Sequence, residues 1–181
     1  MQHKGSIILS LTAVLCLTSC RNDMKEVQQF AQQTFPAQSI TDALITQTES
    51  GVSQLTLEAP QIVMFNAPNE RTVYPKGIFL KVHGSHDSLK ATIQAGYAIS
   101  IESKHLMEAR DSVVVIDYST GDTSYLQHIV WNTNKGIIYS NHPVRSVNGS
   151  RVTYGDGFLS DENFTDPQIV RQRGTIEWND Q

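Results

Sequence analysis

The chain has 181 residues, 14 basic against 18 acidic side chains, a formal net charge of −4 and two cysteines. A mildly acidic chain with no basic block argues against a nucleic-acid partner. One further domain-sized segment is all that this length accommodates once the N-terminus is set aside.

Residues 1–6 carry one positive charge, Lys4, and residues 7–17 are an apolar run. Such a run suits the hydrophobic region of a secretory signal and is too short to span a bilayer as a helix. It closes on Leu17-Thr18-Ser19-Cys20. A hydrophobic residue, two small residues and a cysteine match the bacterial lipobox, in which the thiol is acylated and cleavage leaves the cysteine first. The expected organisation is a signal peptide at 1–19, a lipidated N-terminus and tether at 20–38, with Cys20 as the lipidation site, and a β domain at 39–181. Cys16 leaves with the signal, so the mature domain has no thiol for a disulfide, a metal or a nucleophile. Removing residues 1–19 takes Lys4 and no acidic residue, which leaves 162 residues of net charge −5.

Residues 21–37 are polar and Gln-rich. Val27, Phe30 and Ala31 sit at helical spacing, a thin stripe ended by Pro36, so the segment reads as a part-helical tether or a packed first helix. After Ser39 the period becomes two. Residues 53–59 alternate, and so do residues 91–101, where Ala91, Ile93, Ala95, Tyr97, Ile99 and Ile101 all fall on odd positions. One strand with a buried and a wet face is the expectation for 91–101. Residues 111–118 are a β-branched run, and 123–131, 135–140 and 151–154 are shorter strand candidates. Turn residues punctuate these runs. Asn148-Gly149 is the expected pair at the centre of a type I′ hairpin turn. Many short strands without intervening helices point to an all-β sandwich, barrel or jelly roll.

No enzyme chemistry is legible. His83-Gly84-Ser85-His86 places two imidazoles across a Gly turn with no third ligand, so no metal site is expected. Gly155-Asp156-Gly157 lacks the Lys and helix of a phosphate loop, no Ser sits in a nucleophile elbow, and no cofactor motif is present.

The order of the segments carries a resemblance. Residues 51–60 form a Gly-led strand, and Tyr74-Pro75-Lys76-Gly77 a Pro-Gly turn. Residues 91–97 supply an A-x-x-A-x-Y-type strand, 113–117 a V-x-V strand and 126–131 an L-x-W strand. Ile138-Tyr139-Ser140-Asn141-His142-Pro143-Val144, Gly155-Asp156-Gly157-Phe158 and Gly174-Thr175-Ile176 follow. This series, over about residues 50–176, resembles the LptC family and the related LptA/OstA-like β repeats. The resemblance implies a twisted, open β-jelly roll or two-sheet sandwich of short antiparallel strands. It implies transport of lipopolysaccharide, received from an inner-membrane export ABC transporter and passed to an LptA-like periplasmic bridge protein. Some family members carry an uncleaved transmembrane helix where this chain has a lipobox. The family role places the protein on the periplasmic face of the inner membrane, whereas Arg21 after Cys20 leaves outer-membrane sorting open.

On this reading Leu55, Leu57, Tyr74, Ile93, Tyr97, Ile99 and Ile101 are the candidate lipid-lining residues. Gly51 and Gly155 fall at positions the family uses, with turn or bulge geometry as the plain alternative. The first strand, near residues 40–48, is expected to meet the transporter. The last, near residues 169–178 with Ile176 and Trp178, is expected to meet the bridge protein. The alternative is a lipid-anchored β-sandwich of the envelope with a binding or structural role, in which the same apolar row is ordinary core.

Overall fold

A computed structural model describes residues 36–84 and 88–177. Residues 20–35 of the expected tether at 20–38, with Cys20 among them, and His86 and Trp178 lie outside the described residues, and Gln38 already belongs to the first strand. Among those described there are twelve strands, all paired antiparallel, and one 3-10 turn at Glu102–Lys104. No helix among them is long and apolar enough to cross a membrane.

The chain runs β1 (Gln38–Glu49), β2 (Val52–Phe65), β3 (Arg71–Tyr74), β4 (Ile78–His83), β5 (Leu89–Ala95), β6 (Tyr97–Ile101), β7 (Leu106–Asp117), β8 (Asp122–Asn132), β9 (Ile137–Ser140), β10 (Val144–Asn148), β11 (Arg151–Asp161) and β12 (Gln168–Glu177). The long strands serve two layers. Leu57 of β2 pairs with Leu80 of β4, while Val63 of the same strand pairs with Val73 of β3. The C-terminal half of β7 pairs with β5 and its N-terminal half with β6. In the same way β8 divides between β10 and β9, and β11 between β10 and β9. One layer therefore runs β1-β2-β4-β5-β7-β8-β10-β11-β12 and the other β1-β2-β3-β6-β7-β8-β9-β11-β12. This is an all-β jelly roll, a sandwich whose two layers are joined along a crease.

The crease is written in the backbone. Asp42 (φ 51°) lies opposite Pro60, which has no N–H to give to the ladder. Asp111 and Ser112 (φ 67° and 58°) bulge opposite Gln127. Arg171 (φ 50°) lies opposite Asp156. A bulge adds a residue and increases the local twist, so a strand turns the corner and re-aims its side chains. The inner parity changes at the corner in strands that carry no extra residue, whereas bulged β7 keeps it, with Ala109, Val113 and Val115 all inward. In β2 the inner residues are Leu57 and Ala59 before the corner and Ile62 after it; in β8 they are Leu126 and then Ile129.

Two expectations are corrected by the backbone. Residues 91–101 are two strands in different layers, because Gly96 stands at the crease between β5 and β6. A Cβ on Gly96 would lie 2.9 Å from the Asp111 carbonyl oxygen, and the Gly96 N–H donates to that oxygen at 2.8 Å. The β10–β11 turn is Gly149-Ser150, not Asn148-Gly149, since Asn148 pairs with Arg151 as the last residue of β10. Only Gly149 has positive φ there (54°), the signature of type II′. The I′ signature occurs instead at Ser50-Gly51 (φ 51° and 82°), between β1 and β2. The first described strand, β1, is Gln38–Glu49, and the last, β12, is Gln168–Glu177.

Candidate functional site: the space between the layers

Register sets one continuous row across the inner face of the first layer. Leu57 pairs with Leu80, Leu80 with Ile93, and Ile93 with Val115. Val115 pairs with Ser124, Ser124 with Ser146, Ser146 with Thr153, and Thr153 with Thr175. The row is aliphatic through β7 and hydroxylated from β8 to β12. Ser124 Oγ donates to Ser146 Oγ at 3.0 Å, and the Thr153 and Thr175 hydroxyls lie 3.3 Å apart.

At the aliphatic end the layers close on each other. Ile78, Leu80 and Ile93 face Met107, Ala109, Ile129, Trp131 and Ile138 across a void of about 20 Å³. At the hydroxylated end they part around a cavity of about 670 Å³, bounded on the second layer by Phe158, Phe164 and Ile169. Phe164, with 1% exposure, packs its ring 6.4 Å from that of Phe158 and closes the core beneath the cavity. Asp117, at 3% exposure, lines the same cavity. Its Oδ1 accepts from the Ser119 N–H at 2.8 Å and the Ser119 hydroxyl at 2.5 Å, while its buried Oδ2 has no hydrogen-bond partner.

The candidate lining residues divide into two groups. Leu57, Tyr74 and Ile93 are buried in the core, and Leu55 is half-buried and packed against it. Burial, and after it the Glu102 carboxylate, holds the Tyr74 phenol above its usual range. Tyr97, Ile99 and Ile101 instead lie on the opposite face of β6 from Ala98, which is fully buried and pairs with inward Tyr74 and Ala109. Arg110 sits 4.3 Å above the Tyr97 ring, and Ile99 pairs with Glu108. They do not belong to the inner wall, because Gly96 inserts one residue at the crease and reverses the parity.

Gly51 is a turn residue, and a Cβ added there would find no heavy atom within 4 Å. Gly155 is buried at the register shift between β11 and β12, and a Cβ there would meet Ile169 Cγ2 at 2.3 Å. Ile176 is 48% exposed on an edge strand. β1 pairs with β2 and β12 with β11, and neither has a second neighbour among the described residues. No group of three His, Cys, Asp or Glu among the described residues is placed to hold a metal ion.

The hydroxylated half of the inner row was not legible. A period-two pattern assigns serines and threonines to the wet face, and only the register shows Ser124 and Ser146 turned inward at 4% and 5% exposure. A scan against family models and a search of curated proteins found no match to the sequence.

Proposed function

We propose that the chain is a lipid-anchored lipopolysaccharide carrier, held by acylated Cys20 on the periplasmic face of the inner membrane and without enzymatic activity of its own. It takes lipid from the export ABC transporter at the β1 end and delivers it to an LptA-like jelly roll at the β12 end. The observation that carries this reading is a two-layer interior open toward one edge strand, with edge strands at both ends of the layers. A free edge offers backbone N–H and C=O groups to a further strand, and strand addition aligns inner faces into one trough. Each methylene buried there gains about 0.8 kcal/mol, so acyl chains have reason to enter.

One observation favours a second reading. The void of about 20 Å³ at the aliphatic end leaves no room for an acyl chain until the layers separate, as in a closed sandwich with a structural or binding role in the envelope. Mass spectrometry of organic extracts from the purified full chain separates the two. Lipid A recovered in stoichiometric amount supports the carrier; lipid-free protein from cells rich in lipopolysaccharide supports the closed module.

A further inference from the structure

We propose that the cavity at the β12 edge is the headgroup site of the carried amphiphile and takes a neutral, polyhydroxylated (sugar) face rather than a phosphate. This rests on the carrier reading and adds to it an orientation and a chemical preference.

The division of the inner row supplies the orientation. Leu57, Leu80, Ile93 and Val115 offer nothing to a polar group, so an amphiphile lying along the row places its chains there. Ser124, Ser146, Thr153 and Thr175 occupy four successive strands, β8, β10, β11 and β12. At about 4.8 Å per strand spacing they cover about 14 Å, enough for more than one sugar ring. Each hydroxyl both donates and accepts, as sugar hydroxyls do.

The charges supply the preference. Asp117, Asp122 and Glu177 line the cavity against one cation, Arg151. Asp122 pairs with Asp117, and Glu177 with Arg151, on the same face as the hydroxyl row. Three carboxylates to one guanidinium repel a phosphate, and more strongly in a partly enclosed site than in water. The same carboxylates accept from sugar hydroxyls in charge-assisted bonds. Asp117 Oδ2 is the sharpest indication. It is a buried acceptor, unpartnered within the protein, on a residue that lines the cavity, and such atoms ordinarily have a partner. A hydroxyl donor meets that need and a phosphate dianion does not.

The test uses the full chain and two probes of equal chain length, dodecyl maltoside and dodecyl phosphate, each titrated calorimetrically below its micelle concentration at neutral pH. Maltoside binds at least about tenfold more tightly than phosphate, a difference worth one hydrogen bond to a charged group. Ser146→Ala weakens maltoside roughly two- to tenfold, the span of one neutral hydrogen bond, and leaves phosphate unchanged. Asp117→Asn narrows the gap between the probes by strengthening phosphate; if that variant melts early, Ser146→Ala carries the test alone. Phosphate binding as tightly as maltoside, or Ser146→Ala weakening both alike, overturns the headgroup assignment and leaves the carrier reading standing. Binding of neither probe overturns both.

Discussion

Gly77→Ala and Gly51→Ala form a matched pair that measures what holds the crease. Both glycines have nearly the same backbone, φ +88° and +82°, so an alanine at either meets the same intrinsic penalty of about 1–2 kcal/mol for a left-handed residue. Lower entropy of the unfolded chain offsets roughly 0.4–1 kcal/mol of it in both. Their surroundings differ. At Gly51 a Cβ finds nothing within 4 Å; at Gly77 it falls 2.4 Å from the Ala95 carbonyl oxygen and 3.3 Å from the Gly96 Cα. That oxygen is backbone, at the end of β5 where Ala95 pairs with Ile78, and it moves only if the corner moves. Overpacking of this kind costs a further ~1–3 kcal/mol. Gly51→Ala is therefore expected to lose about 0.5–1.5 kcal/mol and Gly77→Ala about 2–4 kcal/mol. Urea titration at constant m reads both. Losses equal within about 0.5 kcal/mol would refute the claim that close approach at Gly77 fixes the corner.

Phe164→Ala empties the floor of the edge cavity and is expected to cost about 3–5 kcal/mol in urea unfolding; a loss below about 1 kcal/mol would show that Phe164 does not close the core. Because the Tyr74 phenol is held above its usual value near 10, the native chain keeps a proton that the unfolded chain releases. Its contribution is complete below about pH 10 and is lost as pH climbs through the raised value. Tyr74→Phe is expected to flatten that alkaline fall in stability, and an unchanged slope in urea titrations on either side of pH 10 contradicts the assignment. Photo-crosslinkers at the two edges test direction: one replacing Leu44, 68% exposed on β1, captures the transporter, and one replacing Ile176 on β12 captures the bridge protein. Exchange of the two partners reverses the proposed path.

The strands were legible where one face is plainly apolar and the other wet. Residues 53–59 announce the first half of β2, 123–131 give β8 as a strand candidate without a clear face, and Pro167 marks where β12 begins. What periodicity hides is the corner. The change of parity at the corner leaves no hydrophobic signal, so 91–101 reads as one strand although Gly96 splits it, and Tyr97, Ile99 and Ile101 appear to continue a wall that they leave. The short strand β3 is set by the Tyr74-Pro75-Lys76-Gly77 turn rather than by alternation, whereas β4 alternates in burial, with Ile78, Leu80 and Val82 inward, a pattern that apolar Phe79 blurs in the sequence. The edge cavity escaped for the converse reason: its wall is polar, and polar residues at strand period are assigned to solvent until register and burial show Ser124 of β8 and Ser146 of β10 turned inward.

Site-specific photo-crosslinking of lipopolysaccharide in cells tests the central claim most directly. Leu57 and Ile93 face the interior, while Ile99, similarly apolar, lies on the opposite side of its strand. Crosslinkers at Leu57 and Ile93 are expected to capture lipopolysaccharide while the transporter hydrolyses ATP, and one at Ile99 is expected to remain free of it. Capture at Ile99 equal to that at Ile93, or at none of the three, contradicts an interior path for the lipid.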